Sequence, residues 1–358
     1  MNRRVLIAGG GTGGHIFPGL AIAEALAARS VDVHWLGARR GLESRLVTER
    51  KIPLTLLDIE GINSRSLSAG LRAMAQLPRA LSEGVRLALD FRPMAVLGVG
   101  GYASASGIMA AGLLGIPWIL QEQNSVPGWT NRTLAPWADL VCCGFEDALV
   151  HFPSMPAVWT GNPVRPDFFD VPPATPEGKP RILILGGSQG SLFLNRTLPR
   201  ALALLRDQGQ EVSIRHQSGS RWLEVVRTAY SDLGLEATVE TFLAQPWEAL
   251  EWADLVIARS GALTISELAA AGRASVLIPF AAAAGNHQEF NAWSLKGAGG
   301  ADVLLENEAE FERVALVLRR LLDDPERLAA MGRAARAVAR PGAADVIADL
   351  LLSVGGVL

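Results

Sequence analysis

Short apolar runs alternate with longer amphipathic segments through the first half of the chain. The apolar runs lie at Arg4–Ala8, 33–36, 54–59, 94–99, 117–121 and 139–143. Each run has the length and composition of a buried strand, and several of the segments between them have helical periodicity. Strands that alternate with helices form a parallel sheet covered on both faces, so the pattern predicts an α/β, doubly wound architecture.

The same order of elements begins again in the second half. A strand-like run at 181–185 leads into a small-residue loop at 186–191 and a helical segment at 192–205. A proline-rich stretch precedes this repeat, as at a domain boundary. We therefore predict two Rossmann-like domains that face each other across a ligand-binding cleft. The predicted boundaries are 1–160 plus 342–358 for the first domain, 161–180 for a linker and 181–341 for the second domain.

Composition narrows the classes of function. The chain has 358 residues, 49% hydrophobic and 19% charged, which is enough for two cores and argues against disorder. A net charge of −3 gives no case for nucleic acid as a partner. Cys142 and Cys143 are adjacent, which suits buried thiols in a reducing cytoplasm rather than a disulfide or metal site. We expect no signal peptide, and the most apolar stretch, 107–120, is too short to span a membrane.

A glycine-rich segment, Gly9–Gly14, joins the first strand to the first helix. Such a turn predicts an anion site, because backbone amides and the helix dipole both favour negative charge. A tight turn without a ligand is the alternative. His15 follows this segment, and an imidazole beside a phosphate can accept a proton or bind charge.

The spacing Gly9-x-Gly11-x-x-Gly14 also fits a dinucleotide-binding fingerprint. That fingerprint requires an acid at the end of the next strand, and none is present. Arg39 and Arg40 stand there instead, and arginines can bind a 2′-phosphate. An NADP-dependent oxidoreductase therefore stays open at this point.

A basic and apolar segment occupies 63–90. Leucine, methionine and valine recur in it at helical spacing, Arg65, Arg72, Arg79 and Arg86 fall seven apart, and we expect Pro78 to kink or split the helix. One interpretation is an ordinary surface helix. The other is a surface that binds an anionic membrane, with Trp118 as a neighbour. The residues assigned to this membrane surface are Leu67, Leu71, Arg72, Met74, Arg79 and Trp118.

Polar residues collect where predicted strands end. They follow the strands as Gly98–Ser104, Gln121–Asn124, Arg259–Glu267 and Gly285–Ala292. Ligands of doubly wound sheets bind beyond the carboxyl ends of the strands. Glu267 lies one turn after Thr264 on a helix that starts near Ala262, so its carboxylate can accept two hydrogen bonds from a ribose diol. Alternatively, it only complements the helix dipole.

Taken together, these motifs resemble the MurG glycosyltransferase family. The resemblance rests on GGGTGGHIFPGLAIAEAL, GVGGYAS, EQN, GNPVR, GGSQG, RSGALTISELAAAG and HQEFNA, which follow one another in family order over nearly the whole chain. It implies a GT-B fold, a UDP-N-acetylglucosamine donor bound by the C-terminal domain and a lipid-linked muramoyl-pentapeptide acceptor (lipid I) bound by the N-terminal domain. It also implies a role in peptidoglycan synthesis, and with it in cell-wall biogenesis, cell shape and cell division.

The resemblance implies functional residues by position. The implied donor-binding residues are Thr12, Gly13, Gly14, Asn124, Arg165, Ser188, Leu243, Ala262, Leu263, Thr264, Ile265, Ser266, Glu267 and Gln288. We assign the acceptor diphosphate to Gly13, Gly14, Gly100, Gly101 and Tyr102. The chain departs from the family at Gln121, where a histidine is usual, and at Ala244–Trp247, where an acidic Asp-Met is usual, which leaves a backbone contact at Leu243.

The residues suit an inverting transfer without a metal or other cofactor. The chain lacks the Asp-x-Asp motif of metal-dependent nucleotide-sugar enzymes. The leaving diphosphate would then be stabilised by helix N-termini, the hydroxyls of Ser188 and Thr264, and Arg165. His15 is the first candidate for the catalytic base, and Glu122 is the second.

Two other classes of function stay as alternatives, an NADP-dependent oxidoreductase and a non-catalytic protein that binds nucleotide sugar or lipid. The repeated loop at 186–190 argues against the first of these.

We expect a peripheral position on the cytoplasmic face of the bacterial inner membrane. Other cell-wall synthesis or division proteins are further candidate partners.

Overall fold

The structure, a computed structural model, describes residues 3–11, 13–39, 41–59, 67–175, 178–187 and 189–357, without the side chains of 67–75, 77, 102 and 284. The chain folds into two compact units. One consists of Met1–Val164 with Gly342–Leu358, and the other of Arg165–Pro341.

Each unit contains one fully parallel sheet. The strands of the first sheet are β1 (Arg4–Ala8), β2 (Asp32–Ala38), β3 (Leu54–Leu57), β4 (Ala95–Gly98), β5 (Trp118–Glu122), β6 (Leu140–Cys143) and β7 (Ala157–Trp159). Those of the second are β8 (Arg181–Leu185), β9 (Ser213–Gln217), β10 (Thr238–Glu240), β11 (Leu255–Ala258), β12 (Ser275–Leu277) and β13 (Ala301–Val303). The orders are β3-β2-β1-β4-β5-β6-β7 and β10-β9-β8-β11-β12-β13. Both place their first strand centrally, so the predicted repeat of one architecture is confirmed.

Helices connect the strands. The α-helices are α1 (Gly13–Ala28), α2 (Glu43–Glu49), α3 (Leu67–Phe91), α4 (Tyr102–Leu114), α5 (Trp129–Leu134), α6 (Leu192–Asp207), α7 (Leu223–Asp232), α8 (Pro246–Trp252), α9 (Ala262–Ala271), α10 (His287–Gly297), α11 (Phe311–Leu322), α12 (Pro325–Ala337) and α13 (Ala343–Val354). Short 3-10 helices lie at Ala135–Trp137, Glu146–His151, Pro166–Phe168, Ser220–Trp222 and Ala284–Asn286. None of the described helices is long and apolar enough to cross a membrane.

The first sheet is buried on both faces because successive side chains of a strand point to opposite sides. Val5 and Ile7 of β1 pack in one cluster with α1 and α13, whereas Leu6 and Ala8 pack in another with α4. The adjacent cysteines divide in the same way, Cys142 into the first cluster and Cys143 into the second. Both thiols are buried and free, as expected, and burial raises the pKa of Cys143 to about 12.

The second unit has one large core between its sheet and helices α6, α7, α11 and α12. The segment that enters this unit is packed against it. Phe168 and Val171 are buried, and Arg336 and Arg273 donate hydrogen bonds to the carbonyls of Val171 and Pro172. Residues 165–172, which fall within the predicted linker, therefore have fixed contacts in the second unit.

The structure corrects some predicted elements. The run 54–59 forms a strand only at Leu54–Leu57, and β5 extends to Glu122, because Gln121 and Glu122 pair in register with Cys142 and Cys143. Helix α3 runs through Pro78 without being split. The strands β7, β9, β10 and β13 were not predicted.

The assignment of Trp118 to a membrane surface was wrong. Trp118 begins β5, which lies between β4 and β6, and its side chain is 6% exposed in a core cluster that includes Leu6 and Leu120. The side chains of Leu67, Leu71, Arg72 and Met74 lie outside the described part, so only the backbone of α3 is known at these positions.

Candidate active site

The glycine-rich loop after β1 is satisfied by the protein itself. The amide of Gly9 donates to the carbonyl of Leu36 and that of Gly10 to the carbonyl of Gly100 at 3.3 Å. The amide of Gly11 donates to Oε1 of Glu43 at 2.8 Å. The expectation of bare amides along this loop was therefore wrong for these three glycines. Gly13 and Gly14 form the first turn of α1, where amides have no acceptor inside the helix.

His15 lies where two glycine loops meet. A methyl group on Gly100 would stand 2.9 Å from Cδ2 and 3.0 Å from Nε2 of His15, so the imidazole rests directly on the backbone of Gly100. Gly101 precedes α4 as its N-cap, with no side-chain hydrogen bond at that position, and a side chain there would overlap the carbonyl of Gly10. The structure thus brings His15, Gly100 and Gly101 together. The side chain of Tyr102 and the whole of Thr12 lie outside the described residues.

Glu122 is held as a structural carboxylate, which corrects its assignment as a candidate base. Its side chain is 1% exposed. One oxygen accepts from the amide and side chain of Asn124 at 2.9 and 3.1 Å. The other accepts from the amide of Gly128 and from Asn131 Nδ2 at 3.0 and 2.9 Å. Burial raises the pKa of Glu122 and these donors oppose the rise. Four donors on a buried carboxylate organise the loop that carries Asn124.

A buried amide network adjoins this loop. Gln121 Nε2 donates to Asn162 Oδ1 at 3.1 Å, and Asn162 Nδ2 donates to the carbonyl of Gln123 at 2.9 Å. Gln123 Nε2 in turn donates to Gln121 and to the carbonyl of Val99. Gln121, the residue that departs from the family pattern, therefore ties β5 to the segment that ends the first unit.

The loop after β8 is stabilised by an arginine, whereas a carboxylate stabilises the loop after β1. Ser191 caps α6 by accepting from the amide of Leu194 at 3.3 Å, and its Oγ also accepts from Nε of Arg259 at 3.0 Å. Gly187 has a φ of +80°, and a side chain there would stand in open space. Within the described residues, no hydrogen bond occupies the Gly187 amide. Ser188, predicted to bind the donor, lies outside the described part.

Arg259 contacts several segments of the second unit. Its Nη1 donates to the carbonyls of Ile278 and Pro279 at 2.9 and 3.0 Å, and its Nη2 pairs with Glu306. The second oxygen of Glu306 accepts from the amide of Ala281. The arginine of the RSGALT segment therefore fixes the loop that follows β12.

Helix α9 begins at Ala262, as predicted, and Gly261 is its N-cap without a capping side chain. The preceding Ser260 ties α9 to α10, because its Oγ donates to the carbonyl of Gln288 at 2.7 Å and its carbonyl accepts from Asn291 Nδ2. Gln288 Oε1 accepts from the amide of Phe280 at 3.0 Å, which orients the side chain. The predicted donor residues of α9 and Gln288 are thus brought together at one helix N-terminus.

The residues of the first turns of α9 divide by exposure. Ala262 and Ile265 are buried, at 8% and 2% exposure. Leu263, Thr264, Ser266 and Glu267 are partly exposed and form the face that a ligand can reach. Burial of its carboxyl raises the pKa of Glu267 to about 7, while the charge of Arg165 opposes the rise. The two predicted donor residues are therefore close enough to interact.

Arg165 is positioned by aromatic rings that the sequence did not mark. Its guanidinium lies 4.2 Å from the ring centroid of Trp247 and 5.9 Å from that of Phe168, and the two rings meet edge to face. Such contacts favour a cation. Trp247 lies in Ala244–Trp247, where the chain departs from the family pattern. That departure was the only feature of the sequence that could have pointed to the contact with Arg165. Leu243 is buried at 6% exposure, so a ligand can reach it mainly through its backbone.

No cluster of histidine, cysteine and acidic side chains that could hold a metal ion is found in the described part of the chain.

Two family models cover most of the chain. The glycosyltransferase family 28 N-terminal domain matches residues 5–143, and the glycosyltransferase family 28 C-terminal domain matches residues 181–349. Curated relatives named UDP-N-acetylglucosamine--N-acetylmuramyl-(pentapeptide) pyrophosphoryl-undecaprenol N-acetylglucosamine transferase match at full length. The relative from Stutzerimonas stutzeri is 41% identical over 99% of both chains, and that from Methylococcus capsulatus is 42% identical over 99% of this chain and 100% of its own. The chain belongs to the MurG family.

Solved structures agree with this assignment. The crystal structure of MurG from Acinetobacter baumannii has a TM-score of 0.82 and 33% identity, and it covers 98% of this chain and 99% of its own. The calicheamicin glycosyltransferase CalG4, at 14% identity and a TM-score of 0.69, shares the fold alone. The fold is GT-B, built from two Rossmann-like parallel-sheet domains, and the predicted MurG-family glycosyltransferase is confirmed. The oxidoreductase alternative has no support.

Proposed function

We propose that this chain is the inverting hexosyltransferase that moves N-acetylglucosamine from UDP-N-acetylglucosamine to the muramoyl 4-hydroxyl of undecaprenyl-diphospho-MurNAc-pentapeptide, giving lipid II. The observation that carries the proposal is the assembly at the N-terminus of α9, where Glu267, Gln288 and Arg165 collect beside an uncapped helix end. The curated relatives are named for this donor and acceptor.

Each part of that assembly suits one part of a nucleotide sugar. The helix N-terminus and Arg165 favour the negative diphosphate. The ionised Glu267 accepts hydrogen bonds from the two ribose hydroxyls. Gln288, oriented through Phe280, keeps its amide nitrogen for the sugar. Leu243 offers a backbone group to the uracil.

The reaction is a single displacement. The 4-hydroxyl oxygen of the acceptor attacks the anomeric carbon, a new glycosidic bond forms, and the bond from that carbon to the diphosphate oxygen breaks. UDP leaves with the electron pair, and the configuration inverts. The hydroxyl proton passes to a base, for which His15 is our candidate, since Glu122 is committed to four hydrogen bonds. As the alternative role, a protonated His15 binds the acceptor diphosphate together with Gly13, Gly14, Gly100, Gly101 and Tyr102.

Incubation with UDP-N-acetylglucosamine and a short-chain lipid-linked muramoyl acceptor tests the proposal. We expect an acceptor product heavier by one N-acetylhexosamine, with a β-linkage seen by proton NMR. The Glu267→Ala variant is the matched control, since it should fold and bind the donor more weakly. Release of UDP without a disaccharide, or no turnover with either substrate, would contradict the proposed transfer.

We further propose that the enzyme lies peripherally on the cytoplasmic face of the inner membrane, where its acceptor is located. Arg79, Arg86 and Leu89 of α3 are exposed, the last at 56%. Helix α3 packs against α4, which exposes Leu113 at 69%, and Trp129 of α5 is 73% exposed. Basic and apolar side chains together favour an anionic lipid surface.

Flotation with anionic and neutral vesicles tests this location. Arg79→Glu/Arg86→Glu should reduce binding to anionic vesicles. Arg313→Glu/Arg320→Glu on α11 is the matched control, because it reverses two exposed arginines with the same spacing. Equal binding of wild type to neutral vesicles, or equal loss in both double variants, would return α3 to an ordinary surface helix.

A further inference from the structure

Glu43 is a buried carboxylate that no part of the proposed mechanism uses. It is the first residue of α2 and is 0% exposed. Its Oε1 accepts from the amide of Gly11 at 2.8 Å and from the amide of Ala38 at 3.2 Å. One oxygen thus joins the loop after β1 to the end of β2, and it does so directly beside the segment that leads to His15.

The backbone around this carboxylate leaves room for nothing else. A side chain at Gly10 would overlap Oε1 of Glu43, and one at Gly41 would overlap Oε2. A methyl group at Gly37 would stand 2.9 Å from its Cγ. Three glycines from three different segments therefore form a slot that fits this side chain. Gly9 and Gly10 are therefore explained by close approach, Gly10 to Glu43 and Gly9 to the loop after β4, where a side chain would meet Val99 and the carbonyl of Gly100.

The arrangement has an energetic cost. Oε2 of Glu43 is buried and has no hydrogen-bond partner within the described residues. A buried polar atom without a partner is unfavourable, and a charged one more so. A side chain needed only to fill space could be apolar at this position. The costly carboxylate suggests that its acceptor function, and the loop geometry that depends on it, are required.

We propose that Glu43 is a positioning residue that sets the acceptor-side loop through the Gly11 and Ala38 amides and so places His15. The connection is short. The amide of Gly10 in this loop donates to the carbonyl of Gly100 in the loop after β4, and the imidazole of His15 rests on Gly100. The inference rests on the proposed function, in which His15 acts on the acceptor. It predicts that the loss of Glu43 impairs turnover or acceptor use and leaves the donor site unaffected.

Three substitutions separate positioning from simple stability. In Glu43→Ala both amides lose their acceptor, and we expect kcat to fall by roughly 10²-fold, the effect of a small misplacement of a reacting group. Glu43→Gln keeps an oxygen at the Oε1 position and should retain most of the activity. Glu43→Asp keeps the charge but is too short to reach both amides, so it should resemble Glu43→Ala. The KM for UDP-N-acetylglucosamine should stay unchanged in all three. Glu49→Ala is the matched control, because Glu49 is exposed on the same helix.

Hydrogen exchange supplies a second measurement that needs no activity. The peptide covering Gly9–Gly11 should exchange faster in Glu43→Ala than in wild type or Glu49→Ala. If Glu43→Ala does not fold, Glu43→Asp is compared with wild type in its place. Wild-type kinetics in folded Glu43→Ala, equal losses in Glu43→Gln and Glu43→Ala, or a raised donor KM would each overturn the inference. A wild-type chain that makes no disaccharide would contradict the proposed function instead, while the exchange measurement would still test the loop.

Discussion

The two glycine-rich loops follow equivalent central strands, β1 and β8, yet side chains of opposite charge hold them. The carboxylate of Glu43 stands behind the first loop and accepts from its Gly11 amide. The guanidinium of Arg259 stands behind the second and donates to Ser191 at the start of α6. In the first loop the amides of Gly9, Gly10 and Gly11 are all occupied. In the second, the amides of Gly186 and Gly190 are occupied, but no hydrogen bond within the described residues occupies that of Gly187.

This difference shows how one architectural unit serves two purposes. A loop backed by a cation, with a glycine amide to which the described residues offer no acceptor, is suited to receive a diphosphate. A loop whose amides are already satisfied by a carboxylate is suited to hold a fixed shape. The first loop also carries an imidazole at its end, and the second has Ser191 in its place. We therefore expect changes in the first loop to affect turnover, and changes in the second unit to affect stability and donor affinity.

The largest expected effect is at His15. If His15 is the general base, His15→Ala should lower kcat by roughly 10²–10⁴-fold with donor affinity unchanged. If His15 binds the acceptor phosphate, the same substitution should mainly raise the KM for the lipid acceptor. Steady-state kinetics with the acceptor varied at saturating donor separate the two roles. Wild-type values for both constants would leave His15 as a structural part of the turn.

The second loop can be tested through Arg259. Arg259→Ala removes the partner of Glu306, whose side chain is only 18% exposed, and frees the loop after β12. We expect a loss of about 3 kcal/mol in the free energy of unfolding, the low end for a broken buried ion pair. Urea denaturation measures this loss, and Arg320→Ala, at an exposed site on α11, is the control. Equal stability of the two variants would mean that Arg259 does not stabilise the loop after β12.

Donor affinity should respond to Glu267. Glu267→Ala should weaken UDP-N-acetylglucosamine binding by about 1.5–3 kcal/mol, the range for hydrogen bonds to a charged group. Isothermal titration calorimetry measures the change, and His15→Ala should bind the donor as wild type does. Unchanged affinity in a folded Glu267→Ala protein would contradict the assignment of this carboxylate to the ribose.

The raised pKa of Glu267 predicts a pH dependence with opposite signs for stability and binding. The folded free protein favours the protonated carboxyl, so this group stabilises it below about pH 4.5, and that contribution is lost as the pH rises towards about 7. Ribose binding needs the ionised form, so donor affinity should increase as the pH rises through about 7. Titrations on either side of this pH should show the increase in wild type and not in Glu267→Gln. A flat profile in wild type would contradict the proposed contact.

The smallest effect should follow from chelation. The chain has no Asp-x-Asp motif, and the donor site that we propose meets the diphosphate with a helix end and Arg165. We therefore expect full turnover in excess chelator. Loss of turnover that magnesium restores would show that the leaving group is stabilised in another way.

Local pattern in the sequence determined much of this protein. Apolar runs between helical segments predicted the α/β class and the repeated unit at 181–205, and the adjacency of Cys142 and Cys143 predicted buried thiols. The Arg259–Glu267 segment predicted the start of α9 and placed Glu267 one turn along it. These features depend on periodicity and on residues close together in the chain, which are properties that a sequence displays directly.

Only the tertiary structure decided which side chains meet across long separations. Strand order brings Glu43 to Gly11 and buries Trp118 between two strands, and the packing of the second unit places Trp247 on Arg165. The donors to Glu122 are close in the chain, but they meet its carboxylate only because the loop after β5 folds back on it. In the sequence, no motif marks Glu43, and Glu122 is one of several polar residues at the end of a strand. Whether such a carboxylate binds a ligand, accepts a proton or holds a loop depends on the donors that the fold brings to it, and local periodicity carries no record of those donors.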